Sequence, residues 1–270
     1  MSLPDYEVFA IRYATMNRMA VNNFMLHDDH DGMMPLDFFI WVIRSGTSCI
    51  VVDTGFSDCS AQKRNREFLC RPEIGLAELG IAAGEVSDVV LTHLHYDHAG
   101  NFGLFERANF HLQDAEMAYA TGRQMAHRVL NHFFAVEDVT GLVKEVYAGR
   151  VRFHDGDADI APGVSVHKVG GHTEGLQVVR VHTKRGWIVL ASDAAHYYAN
   201  LYEGNPFPAI TNVGEMLDGY QRLYALADTP DHIVPGHDPE VLELYPHYRS
   251  ELAEIACLHL LPVRSANRDA

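Results

Sequence analysis

Paired cysteines are missing from this 270-residue chain: Cys49, Cys59, Cys70 and Cys257 stand far apart, with no Cys-x-x-Cys among them. That spacing excludes a disulfide framework and a zinc finger, and it reads as free thiols in a reducing compartment. Positive charge is short as well. Against 36 acidic residues there are 21 basic ones, a formal net charge of -15, and so acidic a surface repels a phosphate backbone. Nucleic acid is therefore not an expected partner. Long apolar runs are absent too: no stretch nears the roughly 18 residues of a membrane span, and the first residues have neither a basic start nor an apolar run. The expectation is a cytoplasmic protein without membrane contact.

What is present suits a globular enzyme. Hydrophobic residues make up 47% of the chain and charged residues 21%, and this length buries a sizeable core. No repeat, low-complexity tract or linker divides it, so a single domain over 1–270 is expected. Short runs rich in Val, Ile and Phe that stop at turn residues read as strands over 38–43, 49–52, 89–92, 164–169, 177–182, 187–190 and 233–234. The first two flank Ser45-Gly46-Thr47-Ser48 and should form a hairpin. Helical patterns lie over 60–69, 114–120, 124–134, 213–226 and 240–256. Strand pairs alternating with helices predict an α/β fold, two sheets covered outside by helices.

The polar groups of interest fall where strands end. Asp53-Thr54-Gly55 follows 49–52, and His93-Leu94-His95-Tyr96-Asp97-His98 follows 89–92. Farther along, Gly170-Gly171-His172, Asp193 and His237 each follow a strand. Of the 17 histidines, His27, His30, His111, His154, His167 and His182 read as ordinary surface or satisfied core residues. The cluster differs, because four polar groups in six residues beside an apolar strand are costly unless they bind something. If the segment continues in extended form, His93, His95 and Asp97 share a face and His98 turns outward. Imidazole with carboxylate suits a borderline divalent ion such as zinc. A single zinc with three ligands leaves Asp97 and His98 unexplained; two ions account for all, given His172, Asp193 and His237.

The pattern His-x-His-x-Asp-His followed by His, Asp and His resembles the metallo-β-lactamase superfamily, over about 53–237. The resemblance implies a four-layer αββα sandwich of two mixed sheets and two divalent ions, zinc. It assigns one ion to His93, His95 and His172 and the other to Asp97, His98 and His237, with Asp193 bridging. Asp53 either orients a ligand or simply forms a turn. Within the superfamily, His93 through Gly100 and the aspartate at 193 are most similar to the N-acyl homoserine lactonases, which are often dimers. This implies a quorum-quenching hydrolase that opens a small-molecule lactone ring by attack of a metal-bridging hydroxide, with Asp97 as proton shuttle. Lactonases usually carry a tyrosine three residues past the bridging aspartate. Here that position is His196, so His196, Tyr197 or Tyr198 is the expected oxyanion donor. Met16, Met19, Phe24, Met25, Met33 and Met34 suit an acyl-chain pocket, ordinary core packing or a homodimer contact, and segment 124–134 a cap over the site. The alternatives are hydrolysis of another ester or a glutathione thioester, which should want basic residues near the C-terminus beyond Arg249, Arg264 and Arg268, and a non-hydrolytic diiron redox protein.

Overall fold

The computed structural model describes residues 3–26, 32–46 and 48–264; His27, His30, Thr47 and Arg268 lie outside the described residues. The strands are β1 Glu7–Met16, β2 Leu36–Ser45, β3 Ser48–Val52, β4 Asp88–Val90, β5 Asn109–Gln113 and β6 Val151–His154, then β7 Ala158–Ala161, β8 Val164–Lys168, β9 Gln177–Thr183, β10 Gly186–Ser192, β11 Ile233–Pro235 and β12 Ile255–Cys257. They form a seven-stranded sheet in the order β12-β1-β2-β3-β4-β5-β6 and a five-stranded sheet in the order β11-β10-β9-β8-β7. Both are mixed. β2 pairs antiparallel with β1 and β3 while β3, β4, β5 and β6 run parallel, and only β11 runs parallel to β10 in the smaller sheet.

Side-chain alternation explains the layering. In β1, Val8 and Ala10 pack between the sheets against Val164, Val179 and Val181, while Phe9 and Ile11 pack outward. A strand buried on both faces carries apolar residues at odd and even positions alike. The helices α1 Asp58–Arg64, α2 Pro72–Glu78, α3 Tyr96–Ala99, α4 Asp114–Ala120, α5 Arg128–Asn131, α6 Val136–Tyr147, α7 Tyr198–Glu203, α8 Val213–Leu226 and α9 Glu240–Leu244 complete the chain. On the outside of the larger sheet, Leu76 of α2 and Leu142 of α6 cover Ile11, Val51 and Val89. Met216, Tyr220 and Leu223 of α8 cover Val178 and Val189 of the smaller one. The result is the expected four-layer αββα sandwich. No helix among the described residues is long and apolar enough to cross a membrane.

Helices 114–120 and 213–226 fall where the sequence puts them; three others are shorter. Helix α1 stops when Asn65 turns left-handed at φ 51°, a conformation asparagine tolerates at a helix end. The pattern over 124–134 breaks at the extended His127 into a short 3-10 turn and α5. Helix 240–256 is a correction: α9 ends at Leu244, Tyr245 is extended and Pro246, which lacks an N–H, follows. The rest becomes β12, an edge strand on β1.

Helix α6 carries a testable pH dependence. Asp138 is buried in its first turn with Oδ2 unpartnered, and burial, reinforced by Glu137, pushes its pKa up to about 7. The unfolded chain releases that proton near pH ~3.9. Between those values the folded state binds more protons, so stability falls as pH rises. Asp138→Asn keeps the shape and removes the titration. The melting temperature of the wild type should drop more between pH 5 and 8 than that of the variant; parallel curves would refute the assignment.

Candidate metal centre

Five loops leave the C-terminal ends of β3, β4, β8, β10 and β11 and meet at one edge of the sandwich. They bring Asp53, the His93–His98 cluster, His172, Asp193 and His237 together, as the strand-end pattern implies. The first two loops belong to the larger sheet and the other three to the smaller. Glycines permit the approach. At Gly171, φ is +83° and a Cβ would lie 2.6 Å from the Met216 backbone; at Gly175 it would lie 2.1 Å from the Glu116 amide. Glu116, which nothing in the sequence singles out, accepts hydrogen bonds from Leu94 N (2.9 Å) and Gly175 N (3.1 Å). Its buried carboxylate ties the loop after β4 to the loop after β8.

The cluster differs from an extended strand in one respect. After His95 the chain enters α3, so alternation stops, and His98 points inward rather than outward. His98 is buried and Asp97 is the partly exposed member, its side chain 13% accessible. Helix entry is what turns both toward the centre. Ligand-type atoms of His93, His95, His172 and Asp193 lie within 4.8 Å of one another, as do those of Asp97, His98 and His237.

Asp193 stands between these sets. Its Oδ1 is 2.9 Å from His237 Nε2 and 3.2 Å from His98 Nε2. Its Oδ2 is 3.2 Å from His172 Nε2 and 3.8 Å from His93 Nε2. Burial alone would raise the Asp193 pKa, but His237, His98 and His196 hold it well below the usual carboxylate range. Burial pushes His93 and His95 well down, while Asp193, Asp53 and Asp97 overcome burial to raise His98.

The other nitrogen of several rings is fixed from behind. His98 Nδ1 donates to Asp53 Oδ2 (2.7 Å), His237 Nδ1 to Asp37 O (2.6 Å) and His172 Nδ1 to Ala209 O. Each bond leaves Nε2 facing the centre, which selects the ligating tautomer. Asp53 serves both readings at once: it is a left-handed turn residue at φ 60°, and its carboxylate also accepts from Thr92 N (2.7 Å) and Thr92 Oγ1 (2.8 Å). A divalent cation fits this arrangement. His93 Nε2 and His98 Nε2 are buried without a hydrogen-bond partner, a cost of about 1–3 kcal/mol each. His95 Nδ1 and His172 Nε2 face each other at 2.9 Å. A cation in each of the two sets would satisfy these atoms.

His196 reaches the same carboxylate, with Nε2 3.0 Å from Asp193 Oδ2 and its ring stacked 3.3 Å from that of Phe207. Burial outweighs Asp193 and pushes its pKa down to about 3, so the ring is neutral. Neither following tyrosine turns to the site. Tyr197 OH donates to Pro35 O at 3.1 Å, and Tyr198 packs in the core between the sheets. The remaining plain histidines have plain partners: His111 with Asp88 and His154, His167 with Ser165 and Asp157, His182 with Pro4 O.

A cavity of about 280 Å³ opens beside the centre, walled by His95, His172, Val129, Leu130, Phe133 and Ile210, with Arg18 and Tyr119 as further lining. Part of segment 124–134 does flank the site, since Phe133 and Phe134 pack on the His95 ring. The methionine stretch does not line this cavity. Met16 and Met34 pack on the core, Phe24 is buried, and Met19, Met25 and Met33 are exposed.

Residues 38–237 match the metallo-beta-lactamase superfamily. The chain belongs to that superfamily. As a metallo-beta-lactamase superfamily member with this buried His/Asp cluster, it is a metal-dependent hydrolase. It is 27% identical over 238 residues to a probable metallo-hydrolase of Mycobacterium tuberculosis, covering 77% of this chain and 73% of that one. It is 24% identical over 255 residues to an N-acyl homoserine lactonase of Bacillus cereus, covering 86% and 94%. Among solved structures, a quorum-quenching N-acyl homoserine lactone lactonase superposes with a TM-score of 0.73 at 21% identity, covering 89% of this chain and 94% of that chain. The hydrolase AbOPH superposes with a TM-score of 0.73 at 18% identity, covering 99% and 97%. These superpositions establish the superfamily fold.

Proposed function

We propose that this chain opens a lactone ring, with N-acyl homoserine lactones as the substrate class, at a centre that holds two zinc ions. The observation that carries the reading is the division of Asp193, whose two oxygens face separate sets of histidines. His93, His95 and His172 would hold one ion and Asp97, His98 and His237 the other, with Asp193 shared. Two cations so held supply Lewis acidity toward the carbonyl and a water acidic enough to react near neutral pH.

The chain's own groups do the rest. Water adds to the lactone carbonyl carbon, the ring C–O bond breaks, and a hydroxy acid leaves. Asp97, the partly exposed carboxylate, takes the proton of the attacking water and returns it to the departing ring oxygen. His196 donates to Asp193 and positions it; that bond occupies its Nε2–H. Tyr119 has no hydrogen-bond partner for its hydroxyl among the described residues, lines the cavity, and is pushed up to about 12 by burial, Glu116 and Glu174. It stays protonated at neutral pH and is the donor for the carbonyl oxygen. The C-terminal basic residues favour no thioester reading, since Arg264 is paired with Glu240 and Glu243.

The test is a pH-drop assay on short- and long-chain acyl homoserine lactones, aryl esters and glutathione thioesters, with zinc-loaded and chelator-stripped protein. The zinc-loaded protein should open lactones fastest and the stripped protein should not. If no lactone opens faster than with stripped protein, the lactonase reading falls.

A further inference from the structure

The cavity beside the metal centre is small, and a larger one lies behind its wall. Pockets that enclose a drug-sized ligand span roughly 300–1,000 Å³. The front cavity, walled by His95 and His172, falls just below that range at about 280 Å³. The rear cavity measures about 540 Å³. Ala120, Met125, Ala135, Val136 and Val139 give it an apolar lining, and Lys63 and Glu137, exposed and paired at 3.3 Å, also line it. No residue of the His/Asp cluster lines it.

Phe134 stands between the two. It lines the rear cavity, and its ring centroid lies 4.6 Å from that of His95, edge-on at 80°, and 5.8 Å from that of Tyr119 at 64°. His95 and Tyr119 both line the front cavity. The chain divides its neighbours the same way: Phe133 lines the front and Phe134 the rear, Tyr119 the front and Ala120 the rear. The main chain here is pinned. Phe134 bridges to His95, Tyr96 N donates to Phe133 O at 2.9 Å, and Phe134 N donates to Asn131 O at 3.0 Å. The partition is therefore one half-buried aromatic ring, set on backbone that does not open.

We propose that Phe134 is the specificity-determining residue of this centre: it ends the substrate's apolar chain inside the front cavity, so the preferred lactone or ester carries a short chain. The proposal rests on the hydrolytic reading only for the place where the bond is cleaved. Val129, Leu130, Phe133 and Ile210 cover a chain that stops at the partition. Each methylene buried there multiplies affinity by a factor of about four. A longer chain meets the Phe134 ring and sends its further methylenes into solvent, where they gain nothing. Without that ring the two apolar linings join, and the rear cavity becomes the space a longer chain enters.

The experiment is calorimetric and needs no turnover. Butanoate, hexanoate, octanoate and decanoate are titrated into the zinc-loaded protein, each offering its carboxylate to the centre and its chain to the front cavity. In the wild type, affinity should climb with chain length and then level off. In Phe134→Ala it should keep climbing, so that the decanoate-to-hexanoate ratio exceeds the wild-type ratio by about tenfold or more. Phe134→Leu, which keeps an apolar side chain against His95, should give an intermediate ratio. Phe133→Ala widens the front cavity without touching the partition and should leave the levelling-off in place. The wild-type series keeps the proposal testable if a variant fails to fold or to hold zinc. An affinity that rises steadily to decanoate in the wild type, an unchanged ratio in Phe134→Ala, an equal effect of Phe133→Ala, or no binding of any acid overturns the partition, whatever the lactone assay shows. A failed lactone assay with the expected chain-length series overturns only the lactone reading.

Discussion

Asp193→Ala is expected to empty the centre of metal and to lower hydrolysis by more than a hundredfold. The carboxylate is buried between four histidines, with His237, His196, His98 and His172 nitrogens 2.9–3.2 Å from its oxygens. Removing it leaves imidazoles facing one another with no negative charge to hold either a cation or their own protons. Loss of a supporting partner alone typically costs 10–100-fold in affinity or activity, and Asp193 is proposed to touch both ions. Metal content by mass spectrometry and turnover of the purified variant check this together. A variant that retains two equivalents of metal and wild-type turnover would sink the assignment.

The second large effect belongs to Asp53, which faces no ion. Its carboxylate is the acceptor for Thr92 N, Thr92 Oγ1 and His98 Nδ1. Asp53→Ala strands three buried donors, at about 1–3 kcal/mol each, and frees the His98 ring. Stability to denaturant and zinc affinity should both fall, the latter roughly 10–100-fold. Asp53→Asn separates the two consequences. The amide oxygen still accepts from Thr92 N while its NH2 turns toward Thr92 Oγ1, which can donate to Ser192 instead, and toward His98 Nδ1, which then has to accept. The His98 proton moves to Nε2, the atom next to Asp193. Zinc affinity should therefore drop with little change in the melting curve of the metal-free protein. Unaltered zinc affinity in the asparagine variant would remove Asp53 from the site.

Much of this centre is legible in the sequence because metal chemistry demands residue types. Few chains place two histidines, an aspartate and a third histidine in six residues, and the strand-end positions of His172, Asp193 and His237 follow from apolar runs that stop abruptly. The backbone between His95 and His98 is not legible in the same way. Extended alternation and a four-residue helix demand the same residue types, and only the fold shows that His98 turns inward. Glu116 was invisible for a related reason: it looks like any acidic residue in the first turn of a helix, and its role depends on Gly175 approaching across the sandwich. Strands β1, β5, β6 and β12 gave weak signals. Arg12 interrupts β1 and is satisfied by Asp37 and Glu254, while β12 is three residues long and exists because β1 offers it an edge. The tyrosines after Asp193 show the limit of motif spacing. Adjacent positions on a short helix face different ways, and both rings went to the interior.

The centre is split between the two sheets, and this ties metal capture to folding. The loop after β4 brings one half of a chelator and the loops after β8, β10 and β11 bring the other, so neither sheet alone presents a complete set. An ion bound there acts as a rivet through the seam, beside polar ties such as Glu116 and the Thr92–Ser192 hydroxyl pair. The unfolded chain, with its halves apart, cannot match that affinity. Each tenfold rise in free metal above the dissociation constant then adds about 1.4 kcal/mol to the closed sandwich, so the stability of this protein depends on the metal supply of its surroundings as well as on its sequence.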